Sequence, residues 1–155
     1  NKARLDNATP LLTAAECNSI DSVRLLLLAR ADPQKAWKNG ITPMCQAASH
    51  NSVASLQLML DAGIDANAMA RGGSTPLFCA AAKNNVHAVE TLLAGRADVN
   101  KARLDGATAF LGAAEHNSVD AMSALLSARA DPGMVFQNGE TPLFMACQHN
   151  SLQAL

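Results

Sequence analysis

Tyrosine is absent, tryptophan occurs once, and aromatic residues make up only 3% of the 155 positions. Without large rings a core cannot bridge wide gaps, so its backbones must approach closely; alanine, a fifth of the chain, permits that approach. An excess of positive charge is missing as well, since 12 Lys and Arg face 13 Asp and Glu for a formal net charge of −1. Neutralising phosphates takes a marked surplus of Lys and Arg, so nucleic acid is excluded as a partner. No apolar run nears the roughly 18 residues that a membrane span needs. The longest is the short stretch around Leu25–Leu28, so no direct membrane insertion is expected. The opening segment Asn1-Lys2-Ala3-Arg4-Leu5-Asp6 leads into neither an apolar region nor a cleavage site, and reads as no secretory signal. Cys17, Cys45, Cys79 and Cys147 contain no C-x-x-C pair. That spacing argues against a zinc site and against a disulfide framework, and points to a reducing intracellular compartment, the cytoplasm before an organelle. Disorder is excluded by the 49% of hydrophobic residues against 16% charged, enough apolar surface to offset chain entropy.

What the sequence does have is a period of 33 residues. Thr9-Pro10, Thr42-Pro43, Thr75-Pro76, Thr108-Ala109 and Thr141-Pro142 follow one another at that step. Asn18, Asn51, Asn84, Asn117 and Asn150 keep the same register, as do Asp32, Asp65, Asp98 and Asp131. Gly40, Gly73, Gly106 and Gly139 form a further column, and Ala14, Ala47, Ala80, Ala113 and Ala146 another.

Each column has a mechanical meaning. Thr before Pro starts a helix, because the hydroxyl accepts from an orphan amide and Pro at the first helical position gives up no hydrogen bond. This first helix of each unit, helix A, is predicted to be short, from Thr9 to Glu16 in the first copy. The Asn that follows tolerates a left-handed backbone and turns the chain. A second helix, helix B, is predicted to begin near Ser19, Ser52, Asn85 and Ser118, with Ile20, Val23, Leu26 and Leu27 on one buried stripe. Roughly ten residues then lead to the column Gly, which lets the chain fold back into the next Thr.

Thr75-Pro76-Leu77-Phe78-Cys79-Ala80-Ala81, Val89 to Leu93, Ala97-Asp98-Val99-Asn100 and Asp105-Gly106-Ala107-Thr108 resemble the ankyrin repeat. The resemblance implies an all-α fold: an ankyrin-repeat solenoid of antiparallel helix pairs with projecting β-hairpin loops. It covers residues 1–155 as a single array, with repeats at about 4–36, 37–69, 70–102 and 103–135 and a partial one at 136–155. Two features depart from the family pattern. The usual His after Thr-Pro-Leu is replaced by Leu12, Cys45, Phe78, Leu111 and Phe144, so the hydrogen bond of that His cannot form. The usual Gly after helix B is Arg30, Arg96 and Arg129, with Gly63 alone conventional. A non-Gly residue in a left-handed cap costs roughly 1 kcal/mol, so either these helix ends differ in shape or the array is less stable per repeat.

A longer period is also present: residues 1–33 and 100–132 agree at 22 of 33 positions, as if a block of three repeats had been duplicated. Neither end shows a polar cap, and there is no initiator Met, so a longer parent array is expected.

Catalytic chemistry finds no footing. His116-Asn117-Ser118-Val119-Asp120 brings Ser, Asp and His together, but Ser118 and Asp120 fall at a helix start, where such residues serve as caps. Gly72-Gly73 precedes Ser74-Thr75 without the Lys of a phosphate-binding loop and reads as a hairpin turn. His50, His116 and His149 share a column, but repeats stacked about 8–10 Å apart cannot hold a metal that needs ligands at about 2.0–2.3 Å, so these are read as solvated groups at the open end of helix A. His87 reads as a surface residue. Cys45, Cys79 and Cys147 occupy helix A core columns, and Cys17 is expected on the surface. No enzyme activity, cofactor, metal or small-molecule substrate is expected.

The informative surface is the row of loop tips. Arg4, Trp37, Ala70, Arg103 and Phe136 share one column, and Leu5, Lys38, Arg71, Leu104 and Gln137 the next. Aromatic and Arg side chains on projecting loops are the kind that dominate protein interfaces. The expected partner surface therefore runs past Trp37, Lys38, Arg71, Arg103, Leu104 and Phe136, then past His50, Lys83, Glu115 and His116 at the ends of helix A. The resemblance implies a protein–protein interaction module or scaffold. The alternative is a structural spacer, an accessory subunit permanently embedded in a large assembly.

Overall fold

The computed structural model describes residues 8–37, 40–135, 139 and 141. Among these residues eight helices follow in order: α1 (Pro10–Glu16), α2 (Ile20–Leu28), α3 (Pro43–Ser49), α4 (Val53–Asp61), α5 (Pro76–Ala81), α6 (Val86–Ala94), α7 (Ala109–Glu115) and α8 (Val119–Ser127). No strand occurs among the described residues. The short helices α1, α3, α5 and α7 pack side by side as one layer and α2, α4, α6 and α8 as a second, each short helix packing on the longer one that follows it.

Threonine chemistry sets each short helix. Thr9, Thr42, Thr75 and Thr108 keep extended backbones, and each Oγ1 accepts from the amide three residues on, at 3.2, 3.3, 3.1 and 3.3 Å. Pro10, Pro43 and Pro76 then open the helix, while α7 opens on Ala109. The helices end on Asn18, Asn51, Asn84 and Asn117, whose φ angles of 52°, 54°, 55° and 54° are left-handed. The amide after each Asn reaches back five residues, as from Ser52 to the Ala47 carbonyl at 2.9 Å, and satisfies one of the orphan acceptors of the helix end.

The same asparagines also act across the repeat boundary. Asn18 Oδ1 accepts from the Ser55 amide at 3.0 Å, Asn51 Oδ1 from Ala88 at 3.1 Å and Asn84 Oδ1 from Ala121 at 2.9 Å. Each of those amides lies in the first turn of the next helix B and has no partner within its own helix. Ser19, Ser52, Asn85 and Ser118, near which these helices were expected to begin, hold the N-cap positions, but their side chains do not cap, Ser118 included, where a cap was expected. Ser52 Oγ instead donates to the Glu16 carbonyl at 3.0 Å, and Asn85 Nδ2 to the Ala48 carbonyl at 2.9 Å, stitching back to the preceding helix A. Capping in this stack is therefore largely exchanged between neighbours.

Arginine does not change the shape of the helix B ends. Arg30, Arg96 and Arg129 adopt φ of 57°, 66° and 65°, beside 79° at Gly63. All four ends carry the same pair of bonds, as in Ala97 N–H to the Leu92 carbonyl at 2.9 Å and Arg96 N–H to the Leu93 carbonyl at 3.1 Å. Of the two alternatives left by the sequence, the geometry is kept and the arginines bear the left-handed strain.

Small residues fill the seam between layers. Ala14, Ala15, Ala47, Ala48, Ala80, Ala81, Ala113 and Ala114 are buried, with Leu11, Met44, Leu77 and Phe110 before them and Val23, Leu56, Val89 and Met122 opposite. Leu26 and Leu27 pack partly against this core. Ile20, expected on the same stripe, is exposed, whereas its equivalents Val53, Val86 and Val119 are half-buried. Helix α2 has a described helix B neighbour on one side only, which leaves Ile20 uncovered.

Candidate functional site

The hairpin tips share a pair of backbone bonds, to which Asp105 Oδ1 adds a side-chain bond from the Ala107 amide at 3.1 Å. Trp37 N–H donates to the Ile41 carbonyl at 2.9 Å and Gly40 N–H back to Trp37 at 2.8 Å; Ala70 with Ser74 and Gly73, and Arg103 with Ala107 and Gly106, repeat this pair of bonds. Gly40, Gly73 and Gly106 have φ of 82°, 84° and 86°, which the tight reversal requires. Successive tips also lean on each other. A Cβ at Gly73 would lie 2.6 Å from the Leu104 amide nitrogen, and one at Gly40 would collide with the Arg71 side chain. The Arg71 amide bonds the Gly40 carbonyl at 2.9 Å. The column glycine thus serves twice, for its φ and for the seat it gives the next tip.

Among the residues expected on the partner surface, Arg71, Arg103, Leu104 and Trp37 lie on this row of tips. Leu104 is 70% exposed, Arg71 is exposed, and Trp37 is half-buried. Arg103 is held on two sides: its Nη2 lies 3.1 Å from Asp105 Oδ2, and its guanidinium carbon lies 4.5 Å from the centroid of the Phe78 ring. Lys38 and Phe136 lie outside the described residues.

His50, Lys83, Glu115 and His116 lie at the other end of helix A, about 10 Å along the axis for seven residues. His50, Lys83 and His116 are exposed, and Glu115 is half-buried. The two histidines have a structural task the sequence did not disclose. His50 Nδ1–H donates to the Gln46 carbonyl at 3.0 Å and His116 Nδ1–H to the Gly112 carbonyl at 2.9 Å, each adding a side-chain bond to a carbonyl that the same residue's backbone N–H also reaches, at 3.2 and 3.3 Å. His50 Nε2 also lies 3.8 Å from Glu16 Oε1 in the preceding pair. His149 lies outside the described residues, and His87 is exposed beside Glu90 at 3.5 Å. The residues expected on the partner surface thus fall in two rows, tips at one end of helix A and polar side chains at the other.

Of the cysteines, Cys17 is exposed, Cys45 is buried, and Cys79, expected in the core, is only half-buried. Cys147 lies outside the described residues. The neighbouring Cys79 thiol draws the Cys45 thiol below its ordinary range, against the opposing effect of burial. The same neighbour, with burial, pushes Cys79 well above its ordinary range. Asp120, expected as a cap beside Ser118, accepts instead from Asn84 Nδ2 of the preceding repeat at 3.0 Å.

An open cleft of about 650 Å³ lies away from the tips, at the C-terminal ends of α4 and α6. Its polar groups are occupied among themselves and their neighbours. Gln57 Nε2 donates to Asp61 at 2.8 Å, Asp65 accepts from the Asn67 amide at 2.8 Å, and Asn67 bonds both the Arg96 carbonyl and the Asp98 amide. Among the described residues no group of three or more His, Cys, Asp or Glu is placed to hold a metal ion. No described helix is long and apolar enough to cross a membrane.

A comparison with curated proteins finds no match. Two family models do match: one for ankyrin repeats in three copies, over residues 11–103, and one for ankyrin repeats in many copies, over residues 111–155. With the 33-residue register, the paired helices and the projecting tips, these matches show that the chain belongs to the ankyrin-repeat family.

Proposed function

We propose that the chain is a protein-interaction module that holds another protein against its hairpin tips and the exposed ends of its short helices. Ankyrin repeats are generally interaction modules of this kind. The observation that carries the reading here is Leu104, a large apolar side chain 70% exposed at a tip whose backbone is already fixed. A partner that buries it gains apolar area while ordering little new backbone, and that favours affinity. Beside it, Arg103 is already oriented by Asp105 and Phe78. Trp37, Lys38, Arg71 and Phe136 extend this anchor row. His50, Lys83, Glu115 and His116 form the polar side of the groove, where exposed charges set orientation more than affinity. A net charge of −1 suits a partner of mixed surface charge.

The test is comparative capture. The immobilised chain and its Leu104→Ala, Trp37→Ala and Phe136→Ala variants are exposed to one extract, with Arg24→Ala on the outer face of α2 as control. Proteins retained by the parent and the control but lost from the tip variants support the reading. Equal retention by all variants with unchanged circular dichroism contradicts it.

A second reading, a spacer permanently embedded in an assembly, is favoured by α2. Leu25 and Leu28 are 66% and 74% exposed there, beside exposed Ile20. Size-exclusion chromatography separates the two. A module runs as a monomer alone; an orphaned subunit aggregates, and Leu25→Gln with Leu28→Gln restores the monomer.

A further inference from the structure

The net charge of −1 is unevenly spread over the second and third repeats. Their tips and short helices, residues 37–50 and 70–83, contain Lys38, Arg71 and Lys83 and no Asp or Glu. Their long helices and the loops that leave them, residues 51–69 and 84–100, contain Asp61, Asp65, Glu90 and Asp98 against Arg96 alone. Tips and short helices share one face. Cys45 Sγ on α3 donates to the Ser74 carbonyl of the next tip at 3.7 Å, and the Arg103 guanidinium of the following tip lies 4.5 Å from the Phe78 ring on α5. Each of these tips therefore leans over the short helix of the repeat before it, while α4 and α6 pack behind. The two middle repeats are basic in front and acidic at the back.

Arg71 and Lys83 are exposed on this front, and neither has an ion-pair partner among the described residues. The carboxylates of the flanking repeats are otherwise placed: Asp105 lies 3.1 Å from Arg103, Glu16 lies 3.8 Å from His50, and Glu115 is half-buried at the end of α7. Apolar surface adjoins the charge. A Cβ at Gly73, two residues after Arg71, would lie 2.9 Å from Cγ of exposed Leu104.

We propose that the front of the two middle repeats is a docking surface for an acidic segment of the partner, which sets carboxylates against Arg71 and Lys83 and an aliphatic side chain on Leu104. This rests on the reading that a partner binds at the tips, and adds the chemistry of the segment it presents. Screening decides which charges such a segment meets. At physiological salt the Debye length is about 8 Å, and a packed helix layer is about 8–10 Å thick, so the acidic back is largely screened from a guest at the front. The local sign therefore outweighs the overall charge of −1. A basic segment is repelled there, and an acidic one that strays to the back meets Asp61, Asp65, Glu90 and Asp98.

The experiment selects binders to the full immobilised chain from a random library of peptides about twelve residues long, displayed on phage. Each enriched peptide is then synthesised and its affinity measured by fluorescence anisotropy. The enriched peptides should be net acidic with at least one aliphatic residue. Arg71→Glu with Lys83→Glu should weaken them at least tenfold, whereas Arg24→Glu with Arg96→Glu, an equal change of net charge at the back, should weaken them less than twofold. Raising the salt from about 50 to about 300 mM should weaken them several-fold in the parent chain, an arm that needs no variant. Neutral or basic peptides, acidic peptides that bind both double variants alike, or no enrichment over a blank support would each overturn the proposal. Neutral or basic peptides that are lost with Leu104→Ala overturn the acidic class alone and leave binding at the tips standing; peptides indifferent to Leu104→Ala and to the front reversal contradict both.

Discussion

Phe78 reaches from α5 into space that Gly112 leaves open on α7: a Cβ there would stand 2.5 Å from Cε2 and 2.8 Å from Cζ of the ring. In the Gly112 column the other repeats carry Thr13, Gln46, Cys79 and Met145, and the glycine goes with the one ring that faces this column among the described pairs. Gly to Ala within a helix ordinarily stabilises by about 1 kcal/mol. Here Gly112→Ala should instead destabilise by about 1–2 kcal/mol, because a rigid ring cannot yield as a flexible side chain does. Combining it with Phe78→Leu should recover much of the loss, since Leu already fills that column at Leu12 and Leu111. Denaturant melts of the four proteins in the cycle check this; additive losses would show that the two residues do not share the space.

Asn84 carries a left-handed backbone and a bond to the next repeat, and substitutions can separate the two tasks. Asn84→Gly keeps the backbone and loses the Ala121 cap, at a cost of about 1 kcal/mol. Asn84→Ala loses both, at about 2 kcal/mol. Asn84→Asp keeps the acceptor but sets a second carboxylate against Asp120, which accepts from Asn84 Nδ2 at 3.0 Å, so it should lose stability as well. Chemical denaturation of the three variants gives the order; equal stability of the Gly variant and the parent would remove the bond across the boundary from the energetics.

Ser55 is fully buried on α4, and its hydroxyl has no hydrogen-bond partner. The equivalent positions in the next two repeats are Ala88 and Ala121, both fully buried. Ser55→Ala should therefore stabilise by about 1 kcal/mol, since it removes a desolvated hydroxyl and leaves a residue that this column already accommodates. A lower melting temperature would mean that the hydroxyl has a role the geometry does not reveal.

Arg96 bears a left-handed backbone where Gly63 serves one repeat earlier. Arg96→Gly should raise stability by up to about 1 kcal/mol, the strain relieved outweighing the entropy of a glycine in the unfolded chain. Thermal melts of the single variant decide it, and a loss would show that the arginine side chain contributes more than its backbone costs.

The sequence was most informative where one residue does one job in every copy. The 33-residue step located the Thr caps and the left-handed asparagines, and the core columns of α1 and α3 follow from the helical spacing. Residues with two jobs were read only by half. The side-chain bond of Asn51 spans 37 residues, one repeat plus four, an offset that depends on how neighbouring helices stagger and not on any local pattern. The side-chain bonds of His50 and His116 are hidden in a column that also holds Cys17 and Lys83, which do not share them, although Nδ1 reaching a carbonyl four residues back is a local option. Cys79 shares a column with buried Gln46 and Gly112, yet it is half-exposed, since exposure at that column depends on what faces it. The hairpin pattern placed Arg71 and Leu104 at the loop tips, but not that each would seat on the glycine of the preceding tip.

The most direct measurement is the dissociation constant of a captured partner for the parent chain and for Leu104→Ala, taken with their melting curves. Binding through the tips predicts at least a tenfold weakening, about 1.4 kcal/mol, with superimposable melts. Unchanged affinity for Leu104→Ala, with Arg24→Ala weakened instead, would place the partner on the outer helices and contradict the assignment of the tips.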